Sequence, residues 1–242
     1  MQEQDYKDLK PKIVLGIAAH PDDLDFGSSG TMAYFAKNGA KVYYLILTNG
    51  GSGTEDKNLS PKELTKIRED EQSKALKIIG GQTAKFLGYP DGQLEVTMKL
   101  KKDVVKVIRE IKPDLVVTMD PSMLYSAERG FINHPDHRAA GQAALDAVYP
   151  LARDHLAFPE LYEEGYLPHK TKTVLLTNFD KSNFYVDITD TFDLKLKALE
   201  AHTSQIPNIK ELEKWLRQNA EKIGQKCGYK LAESFVKIDL RG

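Results

Sequence analysis

The sequence predicts an α/β fold in which a mainly parallel sheet lies between two layers of helices. Short apolar runs rich in β-branched residues alternate along the chain with longer stretches of helical period. Those runs are apolar almost throughout, as in Ile13–Ala19 and Lys41–Thr48 (KVYYLILT), which is the pattern of strands buried on both faces. Helix start and stop residues fall between them.

The elements follow in order. A polar leader, residues 1–11, is expected to be flexible, and residues 12–242 to form one domain. Strand Ile13–Ala19 is followed by a helix over Thr31–Asn38, stopped at Gly39, and by the strand Lys41–Thr48. Ser60, Pro61 and Glu63 read as N-cap, first helical residue and capping-box partner of a helix over 61–79, which Gly80 and Gly81 end. A brief strand Lys85–Gly88 enters the turn Pro90-Asp91-Gly92, and a helix Leu100–Ile111 leads past Pro113 to the strand Leu115–Met119. A helix from about Pro135 to Val148 follows, then strands Thr173–Asn178 and Phe184–Ile188, a largely helical last third, and a final strand Ser234–Ile238. No internal repeat or linker interrupts the series, so the expectation is a Rossmann-like three-layer sandwich in a single domain.

Composition narrows the function. A chain of 242 residues that is 41% hydrophobic can bury one full core. Lys plus Arg (34) nearly balance Asp plus Glu (35), and the pI is near 6.6, so the footprint of a nucleic-acid binder is missing and a small-molecule partner is expected. The lone Cys227 cannot form an internal disulfide and no signal core is visible, which suits the cytoplasm. No apolar run approaches the roughly 18–20 residues of a membrane span. The helical face Leu212, Trp215 and Leu216 has the spacing of a core or subunit contact, so a homo-oligomer is compatible with the sequence.

Chemistry concentrates in two tripeptides. Ala19-His20-Pro21-Asp22-Asp23 follows the first strand, and His134-Pro135-Asp136-His137 follows the strand Leu115–Met119 and a loop. In each, Pro near the first helical position lets side chains three apart lean to the same side. Two imidazoles and a carboxylate form the three-ligand set of a catalytic zinc site that keeps a position for water. Spacing alone leaves open whether His134 or His137 binds, and whether Asp22 or Asp23 does. The surplus Asp and His are the groups a hydrolase needs to accept a proton from water and to stabilise an oxyanion. Each residue also has an ordinary structural reading, since Asp at a helix start is a common cap.

These segments resemble the PIG-L/LmbE-like family of zinc-dependent de-N-acetylases, whose two signatures, Ala-His-Pro-Asp-Asp and His-Pro-Asp-His, stand intact. The resemblance extends to Thr48-Asn49-Gly50, Ile67–Glu71, Phe86–Gly92, Lys112-Pro113-Asp114, Val186-Asp187-Ile188, Lys195 and His202-Thr203-Ser204-Gln205, across about residues 12–240. It implies that His20, Asp23 and His137 ligate zinc, with other divalent metals such as Fe2+ also accommodated. It further implies that Asp22 is the general base, that His134 stabilises the oxyanion as an imidazolium, and that Arg68 and Asp91 contact substrate hydroxyls. The implied reaction removes an acetyl group from an N-acetylglucosaminyl small molecule or chito-oligosaccharide; the alternative is an amidase acting on a larger amino-sugar conjugate or other acylated amine.

The chain departs from the family pattern at Leu24-Asp25, where many members carry Glu, which leaves Asp25 as a residue behind the ligands. Ile132 stands where some members place a Tyr, for which Tyr125 is a candidate substitute. Arg68 also fits a helix-surface ion pair with Glu71, and Asp91 an ordinary turn residue. His202 fits packing or capping better than catalysis. His155 and His169 lie in an irregular segment, 150–172, that reads as a solvated loop with a rim or lid over the site as the second reading. A non-catalytic nucleotide-binding module is the distant alternative: Gly27 and Gly30 follow the first strand, but no G-x-G-x-x-G is present.

Overall fold

A computed structural model describes residues 5–127, 130–178 and 181–241. The strands are β1 (Ile13–Ala18), β2 (Lys41–Thr48), β3 (Ala84–Tyr89), β4 (Leu115–Met119), β5 (Tyr125–Ser126), β6 (Phe131–Ile132), β7 (Thr173–Thr177), β8 (Phe184–Asp187) and β9 (Ala232–Asp239). The helices are α1 (Asp23–Gly27), α2 (Ser29–Lys37), α3 (Pro61–Ile78), α4 (Met98–Ile111), α5 (Pro135–Asp146), α6 (Pro159–Glu163), α7 (Phe192–Glu200) and α8 (Ile209–Cys227). Seven strands form one sheet in the order β3-β2-β1-β4-β7-β9-β8, and β5 pairs with β6 in a separate hairpin. Every pairing from β3 to β7 is parallel, while β9 runs antiparallel to both β7 and β8.

Alternation along the central strands divides the core. Val14 and Ala18 of β1, with Val42, Tyr44 and Ile46 of β2, face a layer that contains Met32, Phe35, Leu76, Phe192 and Leu216. Leu15 and Ile17, with Leu45 and Leu47, face the opposite layer of α4 and α5, built around Val104, Ile108, Ala140 and Ala144. Burial on both sides is why these strands are apolar at consecutive positions. The Ser60–Glu63 capping box forms with both reciprocal bonds. Leu216 joins the core, whereas Trp215 on the same helix is half exposed.

Three features differ from expectation. The leader is anchored from Asp5 onward: Tyr6 is buried, edge-on to Tyr34 and Tyr229. The first helical region begins earlier than Thr31, because α1 starts directly at Asp23 and breaks at Ser28 before α2. Segment 150–172 is neither a free loop nor a lid. The buried Arg109 of α4 donates to the carbonyls of Leu151, Ala152, Asp154, Ala157 and Tyr166, and His169 Nε2 meets Pro113 O. Pro113 precedes β4, so the segment lies at the amino ends of the strands, away from both tripeptides. Separately, the last strand lies between β7 and β8, a placement the sequence reading left open. Among the described residues no helix is long and apolar enough to cross a membrane.

The chain leaves β1 toward β2 on one side and returns at β4 on the other, so the crevice above the carboxyl ends of β1 and β4 is the topological switch point where such sheets place their sites. Gly141 lets α5 reach that crevice: a Cβ there would collide with the Met119 carbonyl oxygen of β4. Gly141→Ala therefore forces helix and strand apart. It is expected to lower stability by about 1–3 kcal/mol, read as a reduced midpoint of thermal unfolding.

Candidate metal centre and active site

Both tripeptides reach the switch point, the first from the end of β1 and the second from the start of α5. Asp22 begins α1 in the left-handed region, φ 95° and ψ −29°, a conformation costly for a residue with a Cβ and typical of sites where surrounding bonds impose it. Those bonds are visible. The Asp22 amide donates to Gln72 Oε1 (2.9 Å), its carbonyl accepts from the amides of Asp25 and Phe26, and its Oδ2 lies 3.2 Å from Arg68 Nη2. Arg68 takes one carboxylate of the Asp22–Asp23 pair, and the imidazoles meet the other.

That one is Asp23. Its Oδ2 is 3.4 Å from His20 Nδ1 and its Oδ1 is 3.1 Å from His137 Nε2. Metal bonds of 2.0–2.2 Å in a tetrahedral shell put neighbouring donor atoms about 3.3–3.6 Å apart, so these contacts are close to ligand spacing. The far nitrogens are occupied: His20 Nε2 lies 3.2 Å from Asp136 Oδ2 and 3.0 Å from Asp91 Oδ1, and His137 Nδ1 lies 3.1 Å from Asn133 Oδ1. Carboxylate and amide partners behind imidazoles orient rings for metal binding. Ligand atoms of His20, His134 and His137 also lie within 4.8 Å of one another, as do those of His20, Asp91 and Asp136.

The electrostatics call for a cation. Burial works against charge on His20, yet Asp23 and Asp91 outweigh it and hold the imidazole up at about 10. Burial likewise opposes ionisation of Asp23, but His137 and His20 keep it well below the usual carboxylate range. Carboxylate oxygens and imidazole nitrogens at this spacing suit zinc and other borderline divalent ions. Burial pushes the Asp22 carboxyl up to about 7, with the Asp23 charge adding and Arg68 opposing. A group so placed can take and return a proton near neutrality.

His134 differs from the imidazolium expected of it. Its Nδ1 accepts the Asp136 amide (3.1 Å), so that nitrogen carries no proton. Burial, with His20 and His137 adding, lowers its pKa. Both effects favour the ring form with its proton on Nε2, the nitrogen left able to donate a hydrogen bond.

Arg68 is buried and already engaged with Gly50 O (2.9 Å), Pro21 O (2.7 Å) and Asp22, so it braces the first tripeptide and does not pair with Glu71. Asp91 accepts the Ser52 amide (3.0 Å) and faces His20, whose charge helps hold its carboxyl down at about 2. The hairpin register sets Tyr125 across from Ile132, with both side chains exposed. Gly27 packs on Thr177 and Gly30 on Ile188, and Asp23 and Asp25 occupy the first turn of α1, so no phosphate cradle exists there.

Asp136 and Gln72 escape sequence reasoning, while Asp25 takes the place behind the ligands expected of it. Asp136 is fully buried and accepts the amides of Gly92 (2.7 Å) and Leu94 (3.1 Å) while facing His20. At a helix start it resembles any capping Asp, and only its repetition in both tripeptides hinted at more. Asp25 accepts from Gln72 Nε2 (2.7 Å) and meets His202 Nε2 (2.9 Å). Glu71 accepts from Thr203 Oγ1, Ser204 N and Ser204 Oγ, which ties α3 to the segment after α7. Gln72→Leu removes both the acceptor of the Asp22 amide and a donor to Asp25. The expected loss is about 1–3 kcal/mol in urea unfolding, with faster hydrogen exchange at the Asp22 amide; a change under about 0.5 kcal/mol contradicts the bracing role.

The family model described as GlcNAc-PI de-N-acetylase (PIG-L) matches residues 15–148. The diacetylchitobiose deacetylase of Thermococcus kodakarensis is 34% identical over 239 residues, 96% of this chain and 87% of that protein. A probable N-acetyl-alpha-D-glucosaminyl L-malate deacetylase 2 of Bacillus anthracis is 28% identical, covering 79% of this chain and 80% of its own length. Among solved structures, N,N'-diacetylchitobiose deacetylase from Pyrococcus horikoshii superposes with a TM-score of 0.87 at 33% identity, over 97% of this chain and 85% of that one.

Proposed function

Because the chain belongs to the PIG-L family of de-N-acetylases, we propose that it is a zinc-dependent hydrolase that removes the acetyl group from an N-acetylglucosaminyl small molecule or chito-oligosaccharide. The observation that carries this reading is the meeting of His20 Nδ1 and His137 Nε2 at the Asp23 carboxylate, with the Asp22 carboxylate held beside them by Arg68. His20, Asp23 and His137 are the ligand set, and the same donors accommodate Fe2+. A bound zinc ion supplies Lewis-acid activation of water and of the amide carbonyl.

The remaining steps belong to the protein. Asp22, held beside the ligands by Arg68 and by its own backbone, takes a proton from the attacking water. His134, with its proton on Nε2, donates to the oxygen that gains charge as the carbonyl carbon becomes tetrahedral. Asp22 then returns the proton to the leaving nitrogen, the C–N bond breaks, and acetate and the free amine result. Asp91, beside the exposed Ser52, offers an acceptor to a polyol at the mouth of the crevice, and Arg68 acts through Asp22 and the Gly50 turn.

Purified protein reconstituted with zinc is expected to release acetate from N-acetylglucosamine, N,N'-diacetylchitobiose or an N-acetylglucosaminyl conjugate, and a chelator is expected to abolish the activity. Asp22→Asn preserves the left-handed backbone, since Asn tolerates positive φ. It is expected to keep stoichiometric metal while turnover falls about 10²–10⁴-fold. His134→Ala is expected to keep the metal with reduced kcat, and His137→Ala to lose it, as read by metal analysis. Near-normal turnover in metal-loaded Asp22→Asn would remove Asp22 from the role of base.

A further inference from the structure

A cavity of about 280 Å³ opens beside the metal centre. Asp23 and His137 form one end of it, and it runs past Phe26, Met119, Met123 and Phe131 toward Trp215 and Ile223 of α8. His20, Asp22, Arg68 and Asp91 do not line it. Its polar wall residues are largely satisfied by one another: Lys195 Nζ is 2.6 Å from Glu233 Oε1 and from Phe26 O, and Asn178 donates to Asp120. What remains toward the interior is mostly apolar surface, poorly suited to a sugar.

The sheet order gives the cavity a direction. Gly50 and Asp91 follow β2 and β3 on one side of β1, whereas Met119 and Thr177 end β4 and β7 on the other. An amide carbon has two substituents that point apart, the nitrogen with its sugar and the acyl carbon. With the sugar on the polar flank of Asp91, the acyl group projects over β4 and β7 into the apolar space. A methyl group fills little of it.

We propose that this cavity receives the acyl chain of the substrate, so that the enzyme cleaves N-acyl amino sugars with chains longer than acetyl in preference to acetyl itself. The inference rests on the hydrolase reading above. The reaction balances in the same way: water oxygen bonds to the acyl carbon, the C–N bond breaks, the water proton passes to nitrogen, and a longer carboxylate leaves with the free amine.

The test compares N-acetyl-, N-butanoyl- and N-hexanoyl-glucosamine as substrates of the zinc-reconstituted full chain. The same compounds are titrated by calorimetry into the metal-loaded Asp22→Asn protein. Each added methylene is expected to raise kcat/KM about fourfold until the cavity is full, with Kd falling in parallel. Ala220→Phe, which projects into the far end, is expected to bring the hexanoyl-to-acetyl ratio to about one; Ile223→Trp serves the same purpose if Ala220→Phe does not fold. Turnover of the acetyl compound with flat or falling values for longer chains overturns the acyl pocket and leaves the hydrolase reading standing. Tighter binding of the hexanoyl compound with no turnover of any of them supports the pocket and overturns the hydrolase reading. Neither a binding gain nor a rate gain overturns the pocket.

Discussion

The carboxylate of Asp136 is the constraint on which the rest of the site depends. It is removed from solvent and so needs partners for its lone pairs. It finds them in the amides of Gly92 and Leu94 and in His20 Nε2, and thereby joins the start of α5, the turn after β3 and the end of β1. Because that partnership engages Nε2, His20 presents Nδ1 to Asp23. The ring orientation follows from a residue that touches neither Asp23 nor Asp22.

The second tripeptide thus positions the first, and α3 supports it from the other side. Arg68 and Gln72 are four residues apart on α3 and therefore on one face. One holds the Pro21 carbonyl and the Asp22 carboxylate, the other the Asp22 amide. The left-handed turn at Asp22 is over-determined by these bonds, which is how a backbone cost of about 1–3 kcal/mol persists in a folded protein. Behind them, Asp25 and Glu71 draw in His202, Thr203 and Ser204. Burial works against charge on His202, but Asp25, Asp22 and Glu71 raise its pKa. The arrangement is a buried set of charges whose removal one partner at a time is costly.

Much of this was legible in the sequence, and the exceptions have a common cause. Central strands such as Leu115–Met119 announced themselves through unbroken apolar runs, and Ser60 with Glu63 through a local cap, because both signals lie within a few residues. The tripeptides stood out for the same reason, but their division of labour did not. Which nitrogen of His20 faces Asp23 depends on Asp136, 116 residues from His20. The tautomer of His134 depends on one backbone amide, and the anchoring of 150–166 on the single guanidinium of Arg109. Tyr6 in a polar leader and β9 between two earlier strands are likewise settled by contacts that no local pattern encodes.

The place of β9 has a consequence for how the chain matures. β8 leaves its partner space vacant until β9 arrives, because no other described strand pairs with it. Glu233 of β9 also accepts the amides of Gly30 and Thr31 at the start of α2, some two hundred residues earlier. During synthesis, β1 to β4 can assemble as they emerge. The wall of the crevice next to α2 closes only when β9 reaches the gap. A ribosome stalled before residue 232 would therefore display a nearly complete sheet with an open seam, a species for chaperones to shield.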